Sequence, residues 1–235
     1  MQDLTHRSEE EEIMDDFSQS GKVMDQTLKE LDNINSWLGG NDVSKSGLKR
    51  LLKNTNLKTL HIADLGCGGG DLMVQLLKWG KRRGSEFLLT GIDANPAVVH
   101  YAEQNTKAHA QIDYQSINVF DQSFKSQEYD VIHSSLFTHH FRDDQLSLLL
   151  SQLIKQVRIG IVINDLHRHT ISYYFTKWVI RTLSKSEMVR YDSVLSVARS
   201  FKKKELKAIL KKAEITNYSL RWMWAFRWQL VIYKN

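Results

Sequence analysis

The stretch "LHIADLGCGGGDL" at 60–72 constrains this chain more than any other, because an apolar run, a glycine-dense turn and a helix-patterned segment follow one another directly. That order predicts a strand, a ligand-binding loop and a helix, as at the start of an open α/β sheet. The neighbouring pattern extends the prediction. "LKTLHIADLG", "EFLLTGIDA", "IDYQSINVF", "EYDVIHSSL" and "RIGIVINDL" read as strands, with helices over "DLMVQLLKWGKRRG", "NPAVVHYAEQNTKA" and "DDQLSLLLSQLIKQV" between or after them. Strict alternation of this kind predicts a parallel, doubly wound sheet covered by helices on both faces.

Before that unit, Met24, Leu28, Leu31, Ile34 and Leu38 recur at helical spacing, and Gly39 and Gly40 follow as terminators. A second short helix is expected over 46–53. The chain therefore divides into a helical N-terminal extension or lid at 1–56 and a main domain at 57–235, with an inserted helical lid at 166–200. "TISYYFTKWVIRTLSK" and "SFKKKELKAILKKA" read as two further helices, and "ITNYSLRWMW" with "FRWQLVIYKN" as a closing antiparallel strand pair.

One domain with appendages is the expectation for 235 residues of which 42% are hydrophobic. Cys67 is the single cysteine, so an intrachain disulfide framework is excluded and a reducing, cytoplasmic setting fits. The acidic start "MQDLTHRSEEEEIMDDF" lacks the features of a signal peptide, and no run approaches the ~18 apolar residues of a membrane span. The net charge of +5 permits nucleic acid or an anionic membrane surface as a partner. Most of the excess lies in "KSGLKRLLK", "KWGKRRG" and "FKKKELKAILKK", basic amphipathic helices that read as solvated faces and allow peripheral membrane contact.

Three loop chemistries compete for "DLGCGGGDL". A phosphate loop needs Lys and Ser or Thr after its last glycine, where this chain has Asp71 and Leu72. A dinucleotide fingerprint starting at Gly66 wants glycine at position 71, and a carboxylate there repels a pyrophosphate, although a shifted register leaves that option open. Asp64, Gly66, Gly68 and Gly70 instead match an acidic-x-Gly-x-Gly-x-Gly loop, and over 60–235 the chain resembles the class I S-adenosylmethionine-dependent methyltransferases. The resemblance implies a Rossmann-like fold, S-adenosylmethionine as cofactor and S-adenosylhomocysteine as product. It also implies that the glycines, with Cys67 among them, close on the methionine and ribose part of a cationic ligand, for which Asp64 and Asp71 are favourable neighbours.

Asp93, ending the second strand, suits both ribose hydroxyls, while Asn95 before Pro96 suits a helix cap. In the family the third strand end supplies a polar side chain to the adenine amino group, which maps onto Asn118. The usual residue is acidic, and Asn is also a common turn residue. Ala94, Val119 and Ser134, at the same strand ends, join the expected cofactor contacts.

Methyl transfer demands alignment above all, and a base only where the nucleophile carries a proton. The site of a doubly wound sheet lies beyond the carboxyl ends of its strands. "HSSLFTHHF" and "NDLHRH" occupy that position and hold five of the nine histidines. His139 and His140 are the first candidates for base or substrate orientation, with structural packing of the loop as the alternative. His133, His167 and His169 are further candidates for substrate contact, the last two equally able to cap the following helix. A metal site is not expected: cation-assisted members use carboxylates from these strand ends, and Asn164 and Asp165 would supply part of that set, but the fourth strand offers His133 in place of an acid.

The Asn-Pro-Pro-aromatic motif of nucleic-acid amino-methyltransferases is missing, so nucleic acid is not the expected acceptor. Tyr173, Tyr174, Phe175 and Trp178 are candidates to line a roof over an apolar ligand, with plain packing as the alternative. Arg199 is a candidate anion or lid contact. "MDDF", "INSWLGG" and "SVARSFKKKEL" resemble stretches of bacterial methyltransferases acting on phenolic or polyketide-like molecules. That resemblance implies O-methylation of a hydrophobic aromatic metabolite. Carbon methylation of a quinone precursor, an RNA or protein acceptor, and a cofactor-binding module without turnover stay open.

Overall fold

The computed structural model describes residues 3–16 and 19–234. Two helices come first, α1 (Lys22–Trp37) and α2 (Gly40–Leu51). The alternating unit then runs β1 (Thr59–Leu65), α3 (Asp71–Arg83), β2 (Glu86–Asp93), α4 (Pro96–Thr106), β3 (Ile112–Ser116), the short α5 (Gln122–Lys125), β4 (Tyr129–Ser135), α6 (Asp143–Gln156) and β5 (Val157–Leu166). Three helices follow, α7 (Thr170–Leu183), α8 (Glu187–Arg199) and α9 (Lys203–Lys212), before β6 (Tyr218–Met223) and β7 (Arg227–Tyr233).

The seven strands form one sheet in the order β3-β2-β1-β4-β5-β7-β6. Pairing is parallel from β3 through β5, and β7 lies antiparallel between β5 and β6. The predicted doubly wound sheet with a closing strand pair is what forms. Chain order reverses between β1 and β4, which opens a crevice at the carboxyl ends of those strands.

Local chemistry explains the boundaries. Gly70 and Gly84, both left-handed, bracket α3, whose last turn carries Lys81, Arg82 and Arg83 against the negative end of the helix dipole. Asn95 caps α4 by accepting from Ala97 N at 2.9 Å, with Pro96 at the first helical position. The lysines of α9 are exposed while Leu206, Ile209 and Leu210 are buried, as the amphipathic reading required.

Two elements depart from expectation. Gly39 does end α1, but Gly40 opens α2, which begins six residues earlier than the predicted start at 46. α8 lies within the helical lid expected at 166–200 but was not predicted as a helix of its own. Its buried positions mix apolar Met188, Val189, Leu195, Val197 and Ala198 with Asp192 and Arg199, so the sequence shows no clean apolar stripe with a 3.6-residue period.

The core has two halves, one on each face of the sheet. α6 and α9 cover one with Leu149, Leu153, Ile209 and Phe201. α2 and α3 cover the other, where Leu48, Leu51 and Leu52 pack among Leu60, Ile62, Val162 and Val231. Among the described residues, no helix is long and apolar enough to cross a membrane.

Candidate active site

A cavity of about 400 Å³ occupies the crevice beyond β1, β2 and β4. The loop 66–70 forms one end, the turn after β4 the other, and α1, α7 and α8 close over them.

The glycine end is shaped by contacts that side chains would block. Gly66 has φ +66°, and a Cβ there would stand 2.6 Å from the Phe137 ring. Gly70 has φ +77°, and its Cβ would stand 2.1 Å from the Tyr114 hydroxyl. Both positions therefore require glycine twice over, by conformation and by space. Asp64, Gly66, Cys67, Gly68, Gly70, Asp93, Ala94, Asn118 and Val119 all line the cavity. Ser134 does not; it is buried, and Ser135 lines the wall instead because side chains alternate along a strand.

The charge of this end is negative. Burial pushes the Asp93 carboxyl up to about 6, and its Oδ1 accepts one hydrogen bond from Asn95 N at 3.0 Å. Burial and neighbouring Asp71 raise Asp32, on α1, to about 6 as well. Both line the cavity, as does Asp71. Hydroxyl donors at Asp93 and a cation between Asp32 and Asp71 would relieve these penalties, so the donor set fits a ribose and an ammonium group. Asn118 Oδ1 accepts from Phe120 N at 3.0 Å, which makes the expected turn and leaves its amide N–H groups for a ligand. Asp64 Oδ1 lies 2.6 Å from His133 Nδ1.

At the other end Leu136 leaves β4 in the left-handed region, φ +54°, and starts the turn that carries His139 and His140. A leucine held there marks backbone strain at the site. His139 is buried between two carboxylates: Nδ1 lies 2.7 Å from Asp165 Oδ1, and Nε2 lies 3.4 Å from Glu12 Oε1. Burial alone would lower its pKa, but Asp165 and Glu12 outweigh burial and raise it to about 9. Asp165 is correspondingly held down at about 2 against burial, chiefly by His139. The two carboxylates favour the imidazolium form of His139, which suits it to anchoring them more than to accepting a proton.

His140 is one-fifth exposed and lines the cavity; its Nδ1 lies 2.7 Å from Asp15 Oδ1 and its Nε2 4.0 Å from Glu12 Oε2. Arg199 Nη1 donates to Asp15 Oδ2 at 2.7 Å and Nη2 to the His140 carbonyl at 2.9 Å. Despite burial, His140 and Arg199 hold the Asp15 carboxyl well below the usual carboxylate range. Asp192 on α8 accepts from Ile13 N at 2.8 Å and Met14 N at 3.1 Å, fixing the segment that presents Glu12 and Asp15. Ligand atoms of Glu12, His139 and His140 lie within 4.8 Å of one another, a group that could hold a metal ion.

Several expected contacts lie elsewhere. His133 is fully buried behind Asp64. His167 packs edge-on to Trp228 at 4.8 Å, and burial, then the charges of His169, Arg168 and Lys202, lower it to about 4. His169 accepts from Ile171 N at 3.2 Å and caps α7, the alternative its position allowed. Tyr173, Tyr174, Phe175 and Trp178 do not line the cavity; α7 lines it with Thr176 and Ile180, one helical face away from Trp178. Arg199 is buried behind His140 and does not reach the cavity wall. The sequence reading missed Glu12, Asp15 and Asp192 as members of the site and weighed Asp165 only as part of a metal-ligand set. "MDDF" held the one signal, of which Phe17 lies outside the described residues.

Residues 62–160 match the family described as a methyltransferase domain. The chain has the fold of the class I methyltransferases. Among solved structures, the plantazolicin methyltransferase BpumL in complex with S-adenosylhomocysteine is 18% identical, with TM-score 0.66, over 91% of this chain and 94% of that one. The magnesium protoporphyrin IX methyltransferase of Synechocystis PCC 6803 with the same product bound is 17% identical, with TM-score 0.57, over 84% of each chain. Human N-acetylserotonin methyltransferase in complex with S-adenosylmethionine is 17% identical, with TM-score 0.66, over 97% of this chain and 60% of that one. No curated protein sequence is similar enough to this methyltransferase-fold chain to be matched.

Proposed function

We propose that this chain transfers the methyl group of S-adenosylmethionine to a small hydrophobic acceptor, O-methylating a phenolic or polyketide-like hydroxyl and releasing S-adenosylhomocysteine. The observation that carries this reading is one cavity with an acidic glycine loop at one end and the Asp15–His140 contact at the other. The solved structures of similar fold add support, since those three hold S-adenosylmethionine or its product.

Asp93 takes the ribose hydroxyls and the loop 66–70 the methionine moiety, with Asp32 and Asp71 facing the ammonium group. When bound, the cofactor supplies an electrophilic methyl carbon whose bond to sulfur breaks as the acceptor oxygen bonds to it. His140 accepts the hydroxyl proton, oriented by Asp15, while imidazolium His139 stays charged and anchors Glu12 and Asp165. Leu28, Leu31 and Ile34 of α1, with Ile180 of α7, supply the apolar wall that favours an aromatic acceptor.

Calorimetry with S-adenosylmethionine tests the cofactor assignment. Asp93→Ala removes hydrogen bonds to a charged acceptor, so affinity should fall roughly 10- to 150-fold; unchanged affinity rejects the assignment. His140→Ala should lower kcat by about 10² or more while sparing cofactor affinity. Radiolabel from the cofactor should enter an organic-extractable product, and label found only in RNA or protein rejects the acceptor class.

A further inference from the structure

The outer side of α7 is apolar and exposed. Ile171, Tyr174 and Trp178 stand at steps of three and four residues on one exposed stripe, with Trp178 64% exposed. Its inner positions Ser172, Val179 and Ile180 are buried, so the helix is apolar on two sides, a pattern expected of a helix covered on both. The β6–β7 hairpin extends the stripe. Phe175 lies 6.0 Å from Trp224 and 5.6 Å from Phe226, and Trp222 lies 6.1 Å from Phe226, ring centre to ring centre. Trp222 and Trp224 are 46% and 62% exposed.

Three exposed tryptophans in one continuous patch exceed the scattered apolar residues of an ordinary surface. Within these two elements the charge is one-sided, while Glu10 of the N-terminal segment approaches Tyr173 at the margin. α7 contributes exposed Lys177 and Arg181 and the hairpin exposed Arg221, and neither α7 nor 218–233 contains an acidic residue.

We propose that this face docks the protein on an anionic lipid surface. Tryptophan and tyrosine favour the headgroup level of a bilayer, where an apolar ring meets water, and each nearby lysine or arginine gains from the negative surface potential. A second copy of the chain fits less well, since a two-fold contact would bring the same cations face to face. The helix that meets the bilayer also lines the cavity with Thr176 and Ile180, which sets the cavity beside a reservoir of apolar molecules.

Vesicle flotation of the full chain tests this. Vesicles of phosphatidylcholine with about a quarter phosphatidylglycerol should carry the protein at low salt, and pure phosphatidylcholine should carry much less. Lys177→Glu with Arg181→Glu should weaken binding to the anionic vesicles by at least about 25-fold, from roughly fivefold per lost cation before the repulsion of the two added carboxylates. Trp178→Ser with Trp224→Ser should weaken it about tenfold or more, with cofactor affinity by calorimetry unchanged in both variants. No binding of the folded wild-type chain to anionic vesicles overturns the proposal. So does equal binding by wild type and both variants, or light scattering that shows a dimer which the tryptophan variant converts to monomer. Because cofactor affinity is measured separately, failure of docking is distinct from failure of the methyltransferase reading.

Discussion

His139 and His140 are neighbours in sequence with opposite roles, and the difference lies in what stands behind each ring. Asp165 and Glu12 keep His139 charged, with its pKa raised from an ordinary 6.5 to about 9. A raised pKa means that the folded chain holds this proton more tightly than the unfolded one, so the stabilisation is complete below pH 6.5 and disappears as pH rises through about 9. The melting-temperature gap between wild type and His139→Gln should be widest below pH 6.5 and should narrow by pH 9 to 10; a gap that ignores pH rejects the fixed imidazolium. Gly70→Ala tests the loop, since it forces a side chain into a left-handed position and against Tyr114. A loss of about 1–3 kcal/mol is expected, read as a drop of roughly 2–10 °C in Tm. The glycines and Asp93 were legible in the sequence because their geometry is local to one strand–loop–helix unit. Glu12 and Asp15 were not, because nothing near them in sequence reveals that they meet His139 and His140 more than 120 residues later.

At the scale of elements, the segment 3–16 works as a strap. Arg7 reaches across it to Asp143 at 2.6 Å, to the carbonyls of His139 and Phe141 at 2.9 Å, and over the Phe201 ring at 4.2 Å. Buried Arg168 holds the Leu4 carbonyl at 3.1 Å and pairs with Glu205. The strap's acids thus enter the site only if its basic anchors hold. Arg7→Ala should therefore lower kcat by an order of magnitude or more while leaving cofactor affinity near wild type, a split that steady-state kinetics and calorimetry resolve. The alternation of strands and helices was readable because each buries one face with its own period. α8 escaped notice because its apolar residues do not fall into one clear helical stripe, and the onset of α2 because Gly40, a residue suited to ending helices, begins one.

Across the whole molecule, a boundary drawn between 56 and 57 passes through packed core. Leu48, Leu51 and Leu52 fill the face of the sheet formed by Leu60, Ile62, Val162 and Val231, and Asn164 of β5 donates to the Gly40 carbonyl at 2.9 Å. We expect a fragment spanning 57–235 to expose that face, bind hydrophobic dyes and aggregate, while the full chain unfolds in a single transition by circular dichroism.

The position of β7 carries a consequence for how the molecule is made. It is the last strand in the sequence, yet it lies inside the sheet, hydrogen-bonded on both edges and buried from Arg227 to Ile232. While a ribosome is still making residues 170–220, the edge of β5 that later pairs with β7 has unsatisfied backbone groups. The strap likewise cannot close until α8 and Phe201 exist to receive it. Nascent chains stalled before residue 227 should therefore be held by chaperones or cut by proteases, and binding competence should appear abruptly once the final strand emerges, not in proportion to length.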